Sequence, residues 1–208
     1  MKKNPKKTAQ TKAAIKAAFW TLYRENPITK ITVQDVTNLA DFNRSTFYQY
    51  FHDVYCLLEE IEDDIIQDWQ STFSQLPFHS LVSHEVNEDT IEKIAAFYGK
   101  NGDYLSILLS PKGDPAFIHK LKNVIRPKIF SRIQIQDGNM EAMLAFEFVS
   151  SGVLAFISAW HENARTIPLA EAIEFMRSLF YGNIVEIILK SNARIIEGAD
   201  EKFEIVPS

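Results

Sequence analysis

Residues 32–58, TVQDVTNLADFNRSTFYQYFHDVYCLL, constrain the chain more than any other stretch, because they read as two short helices joined by a tight turn. Thr32 and Asp35 have the spacing at which a hydroxyl and a carboxylate satisfy each other's orphan backbone N–H groups at a helix start. Val33, Val36, Leu39 and Ala40 recur at three- and four-residue intervals, which predicts a short helix with one apolar face. Ala40-Asp41-Phe42-Asn43 follows as the turn: aspartate tolerates a left-handed backbone, and Phe42 can pin the elbow into the core. Asn43 suits the N-cap of a second helix reaching about Phe51. There Phe47, Tyr50 and Phe51 share a face, leaving Arg44, Ser45, Tyr48 and Gln49 on the other. A buried apolar face and an outer face of hydrogen-bonding groups is the layout of a helix-turn-helix that reads base edges and phosphates.

The rest of the chain points to an all-α fold. Glycine and proline number only 7 and 8 among 208 residues, and no strand period is sustained. Helix one is expected over Thr11–Asn26, with Ile15, Phe19, Leu22 and Tyr23 as its stripe and residues 1–8 as a disordered basic arm. After a break at His52-Asp53, a long helix should run to about Leu76, followed by a loop over 77–88. Segments at 89–100 and 104–110 are expected to be separate helices, divided by the Gly99–Gly102 punctuation. A helix opened by Pro115 should reach about Ile135, kinked or restarted at Pro127. Helices over 140–162 and 168–191, and a tail over 192–208, complete the reading. Domain boundaries are expected at 1–54 for the helix-turn-helix domain with its arm and 55–191 for a larger helical domain.

Charge is uneven. Residues 1–55 hold nine Lys/Arg against four acids, a surplus of five, whereas the remainder holds 13 against 23, within an overall net charge of −5. A basic front on an acidic body is expected to meet a polyanion with the front alone, although a solvated lysine tail reads equally well from charge by itself. The one cysteine, Cys56, makes no intrachain disulfide, and beside Leu57-Leu58 it is expected to be a packed thiol. Histidines 52, 79, 84, 119 and 161 show no metal spacing, and no phosphate-binding glycine loop or nucleophile motif is present, so neither an enzyme, a metal nor a cofactor is expected. Lys16 interrupts the early apolar run, so no signal peptide is read. Leu144–Trp160 holds Glu147 and is short for a membrane span. The expectation is a cytoplasmic protein with no membrane partner.

The last two long helices are apolar around most of their circumference. Gly152, Phe156 and Trp160 on the first, with Phe180, Ile184 and Ile188 on the second, are the candidate seam of a homodimer, because a helix-turn-helix usually needs two half-sites. The alternative is that both are interior helices of a monomer.

The stretch ITVQDVTNLADFNRSTFYQYFHDVYCLLEEI resembles the amino-terminal DNA-binding region of the tetracycline-repressor (TetR) family, through I-T-V-x-D-V, A-D-F-N-R-S-T-F-Y and Y-F-x-D-x-x-x-L-L over about residues 10–60. The run F-V-S-S-G-V-L-A-F-I-S-A-W is similar to a penultimate helix found in one subset of that family. Two positions depart: the family often has glycine at Asp41, and commonly a phosphate-contacting lysine where this chain has Val54. The resemblance implies that Thr32 and Tyr48 meet phosphates while Arg44, Ser45, Thr46 and Gln49 lie near base edges of a double-stranded operator; Asn43 and His52 flank them and complete the candidate set. It further implies a cavity for a small hydrophobic effector, for which Trp69, Phe73, Phe97 and Phe148 are candidate walls. The sequence therefore reads as a dimeric, all-α transcriptional regulator, a repressor released by a small molecule. Two alternatives stay open: an activator, or a helical interaction protein whose second domain docks a protein partner.

Overall fold

The computed structural model of this chain describes residues 5–76, 88–132, 138–163 and 166–180, with backbone alone at 132, 177 and 180. Every regular element among them is helical: α1 Pro5–Tyr23, α2 Val33–Ala40, α3 Arg44–Tyr48, α4 Val54–Phe73, α5 Glu88–Leu108, α6 Pro115–Arg132, α7 Met140–Glu162 and α8 Leu169–Phe180, plus a 3-10 turn at Ile28–Lys30. The chain forms two compact units, Met1–Gln67 and Asp68–Ser208, dividing inside α4.

In the first unit the apolar stripes close into one core. Ile15 and Phe19 of α1, Val36 of α2, Phe47 of α3, Phe51, and Leu57, Leu58 and Ile61 of α4 are all buried. Helix α1 starts six residues earlier than its stripe predicts, so Lys6 and Lys7 of the expected arm are helical; Pro5 is pre-organised for a first helical position. Leu39 departs from expectation. It stands exposed, and the buried place falls to Thr37, whose hydroxyl donates to the Gln34 carbonyl at 3.2 Å. Cys56 also departs: it is exposed, and desolvation together with the Asp53 carboxylate pushes its thiol pKa up.

In the second unit α5 runs unbroken through the two glycines that were expected to divide it. The reason is local packing. A Cβ at Gly102 would sit 3.0 Å from Tyr98 Cε1, so glycine here admits a ring rather than a turn. Asn101 adds a side-chain bond to the Phe97 carbonyl (3.2 Å) and one to Asp68 Oδ2 (3.3 Å), while Lys100 pairs with the same oxygen at 2.6 Å. Helix α6 likewise continues through Pro127 without a restart. The carbonyl that proline leaves unbonded belongs to exposed Asn123, where water can take it. Between α5 and α6, Gly113 is required: a Cβ there would lie 2.2 Å from the Leu108 carbonyl oxygen. Among the described residues α7 alone is long and apolar enough to cross a membrane, yet its Glu147 pairs with Lys122 of α6 at 2.8 Å.

Candidate nucleic-acid interface

The site is built from the start of α2 onward. Thr32 Oγ1 accepts from the Asp35 N–H (3.2 Å), and Asp35 Oδ2 accepts from the Thr32 N–H (2.9 Å) and hydroxyl (2.6 Å), closing the reciprocal cap expected from the sequence. The Thr32 hydroxyl holds the Asp35 carboxyl below the usual aspartate range.

At its far end α2 stops on Asp41, whose φ of 54° and ψ of 46° are left-handed. The Phe42 N–H donates to the Thr37 carbonyl (3.0 Å) and the Asp41 N–H to Asn38 (3.4 Å), the paired bonds of a Schellman stop. This turn aims α3. Asn43 occupies the N-cap position, but its side chain makes no capping bond; its carbonyl accepts from Thr46 (2.9 Å) and Phe47 (3.3 Å). Helix α3 is shorter than expected, ending at Tyr48, and the chain tightens through Gln49 N–H to Thr46 (3.3 Å) and Tyr50 N–H to Phe47 (2.9 Å).

The division of faces holds except at Tyr50, which was expected on the buried side and is half-buried. Phe47 is fully buried and Phe51 nearly so, with ring centroids 5.5 Å apart. Asn43, Arg44, Ser45, Tyr48, Gln49 and His52 are exposed, and Thr46 is half-buried. Tyr48 is 57 % exposed and rests edge-on against Phe47 at 5.7 Å, which stiffens the ring while its hydroxyl faces solvent. His52 Nδ1 lies 3.2 Å from Asp53 Oδ2. Asp53 also caps α4, accepting from the Cys56 N–H at 2.8 Å; that bond, then His52, hold its carboxyl below the usual range. Val54 is buried and has no side-chain donor, so the lysine contact of the resembling family has no counterpart at this position.

Sequence reasoning missed an ionic network on the same unit. Glu60 Oε1 lies 2.7 Å from Lys12 Nζ and 2.8 Å from Lys16 Nζ; Lys16 also meets Asp64 Oδ2 at 2.5 Å. Lys12 sits 5.4 Å above the Phe51 ring. Partial burial lowers the Lys16 pKa, but bonds from Asp64 and Glu60 outweigh it and raise it above lysine's ordinary value. Burial raises Glu60, and the two lysines outweigh that and leave it below the glutamate range. The matched four-residue spacings, 12/16 and 60/64, were the available signal. The network also alters the charge argument. Counted over the compact unit Met1–Gln67, the nine basic residues face nine acids, because Glu59, Glu60, Glu62, Asp63 and Asp64 join the four nearer the start.

In the second unit, Trp69 and Phe73 stack at 4.9 Å, and Phe73 meets Phe97 edge-on at 5.6 Å. Phe148, the fourth expected wall, is 75 % exposed on α7 and does not belong with them. Two of the residues expected at the seam have partners within their own chain. Phe156 packs within its own chain against Phe175 (6.1 Å); Trp160 packs against Tyr98 (5.2 Å) and donates its Nε1 proton to the Ile167 carbonyl (3.0 Å); Gly152 is half-buried. The outward stripe lies one residue back, about 100° around the helix: Leu144, Phe148, Ser151, Ala155 and Ala159, with Phe175 and Leu179 exposed on α8. The Phe180 side chain, Ile184 and Ile188 lie outside the described residues.

Residues 86–182 match the TetR family model for a transcriptional regulator C-terminal region. A TetR transcriptional regulator from Streptococcus agalactiae 2603V superposes with a TM-score of 0.59 at 24% identity, over 85% of this chain and 96% of that one. The fold is that of the TetR-family transcriptional regulators. A second TetR-family regulator, from Streptomyces coelicolor, superposes with a TM-score of 0.58 at 14% identity, over 86% and 90% of the two chains. No curated protein matches this chain in sequence. Within the TetR fold, the helix-turn-helix described above occupies the amino-terminal unit, and the matched region falls in the second.

Proposed function

We propose that this chain binds an operator duplex as a homodimer and represses transcription, and that a small apolar effector releases it. The observation that carries the DNA-binding reading is the two-faced segment made by α3 and the turn after it: Phe47 and Phe51 are buried while Arg44, Ser45, Tyr48 and Gln49 are exposed. Arg44 would take guanine O6 and N7 with two donors, Gln49 would pair with adenine, and Ser45 and Thr46 would support them from the same turn. Tyr48 would reach a phosphate with its hydroxyl, with Asn43 and His52 flanking the contact. Thr32 serves the cap of α2, and through it the placement of the reading helix.

Dimerisation would bury the outward stripe of Leu144 and Phe148 with Phe175 and Leu179, an apolar surface that water would otherwise cover. The small residues Ser151, Ala155 and Ala159 let a second helix approach closely along the same line. Trp69, Phe73 and Phe97 form the aromatic wall that an apolar effector would meet. Such a ligand acts only through a difference in affinity between the operator-binding state and the released state.

The test is selection of duplexes from a random pool by the full chain, followed by affinities of Arg44→Ala and Tyr48→Phe. Arg44→Ala should lower discrimination between selected and scrambled duplexes by about 1–3 kcal/mol, while Tyr48→Phe weakens both alike. Equal loss on both duplexes for Arg44→Ala would remove its base-reading role.

A further inference from the structure

We propose that Lys12, Glu60, Lys16 and Asp64 form an electrostatic clamp that positions the reading helix, and that the two lysines are spent on this clamp rather than on DNA. The inference rests on the DNA-binding reading above. The four groups alternate in sign from one contact to the next, with separations of 2.7, 2.8 and 2.5 Å joining α1 to α4. Lys12 adds a third element. Its ammonium lies 5.4 Å from the Phe51 ring, and Phe51 is the buried residue that ends the turn after α3. One lysine thus bears on α1, on α4 through Glu60 and on the exit of the reading helix through Phe51.

Geometry separates this from a merely adherent pair of surface ions. The Lys16 side chain is only 15 % exposed, and each lysine already has a carboxylate within 2.8 Å. An isolated surface pair contributes little, but a network in which each lysine is held by a carboxylate can fix an angle between helices. Recognition depends on that angle, since a small misplacement of α3 removes base contacts before it removes phosphate attraction.

The deciding variant is Glu60→Gln, which removes the charge that both lysines meet while keeping the side chain's size. If Lys12 and Lys16 were phosphate ligands held back by Glu60, removing that negative charge would raise affinity for any DNA. The clamp predicts the opposite sign. Affinity for a duplex selected by the wild-type protein should fall about three- to tenfold, affinity for a scrambled duplex should hold, and the slope of log affinity against log salt should stay unchanged. Asp64→Asn should act in the same direction. The fourfold reversal Lys12→Glu, Lys16→Glu, Glu60→Lys and Asp64→Lys restores all three ion pairs with opposite sign and gives up only the Lys12–Phe51 contact, so it should recover most of the selected-duplex affinity lost on breaking the pairs singly. Helical circular dichroism and thermal melting of each full-length variant establish that it is folded.

Rising affinity for both duplexes in Glu60→Gln, or a fourfold reversal that abolishes binding in a folded protein, would overturn the clamp, as would a Glu60→Gln indistinguishable from wild type. A wild-type chain that enriches no sequence from the pool is a different result: it removes the DNA-binding reading, and the clamp's role with it.

Discussion

Asp41 is the one non-glycine residue with positive φ among the described residues, and the direction of α3 depends on it. An L-residue held in the left-handed region costs about 1–2 kcal/mol, of which aspartate recovers part through its short polar side chain. Asp41→Gly removes that cost but gives the unfolded chain more freedom, worth about 0.5–1 kcal/mol, so the net change should lie between zero and about 1 kcal/mol of stabilisation. Asp41→Val adds β-branching at a conformation where Cβ is already crowded, and should destabilise by about 1–2 kcal/mol. The two variants should therefore differ by about 2 kcal/mol. Because the chain has two compact units, a global melt mixes transitions. The local probe is amide exchange of Phe42, whose N–H bonds to the Thr37 carbonyl only while the Schellman stop is formed. A spread of 2 kcal/mol is about a thirtyfold difference in exchange rate between the glycine and valine variants. Equal protection in both would show that the left-handed stop does not set the turn.

Gly113→Ala places a methyl within 2.2 Å of the Leu108 carbonyl, so it should cost about 2–3 kcal/mol in the second unit and leave the first intact, read by exchange protection across the two units. The Lys–Glu network fixes a pH window for the first unit. Glu60 is depressed, so its contribution is present above glutamate's ordinary value of 4.5 and fades as pH falls through its lower folded value; Lys16 is raised, so its contribution is complete below 10.5 and fades as pH rises through its higher folded value. Melts against pH followed by Trp20 fluorescence, with Trp69 and Trp160 replaced by phenylalanine so that the first unit alone is read, should show both limbs, and Glu60→Gln should shrink the acid one, to which Asp35 and Asp53 also contribute. Phe148→Glu, at a 75 % exposed position, should leave helicity unchanged and convert a dimer to monomer in analytical ultracentrifugation; a dimer that survives at micromolar concentration would move the interface elsewhere.

Much of the first unit was legible because its signals are local. The Thr32–Asp35 cap, the Asp41 turn and the Phe47/Phe51 face each depend on residues within a few positions. Leu39 was misplaced because α2 is only eight residues long, and three-residue spacing in so short a helix does not say which flank meets the core. The α5 break failed for a different reason: the Tyr98 ring lies over Gly102, a partnership that no turn propensity records. On α7 the sequence offered apolar residues all round, so the outward stripe could be fixed only by seeing that Phe156 and Trp160 find partners in their own chain. The clamp needed α1 and α4 side by side, 48 residues apart, before its matching intervals acquired meaning.

The balance of nine cations and nine anions in Met1–Gln67 bears on how a DNA reader spends its time. Counterion release counts the phosphates that a protein's cations meet, so under the proposed DNA-binding reading the two lysines held by Glu60 and Asp64 are two contacts fewer on any duplex. Attachment to irrelevant genomic sequence would be weaker to that extent. A modest number of copies would then remain free to find a target, with occupancy governed by the few side chains that recognise bases.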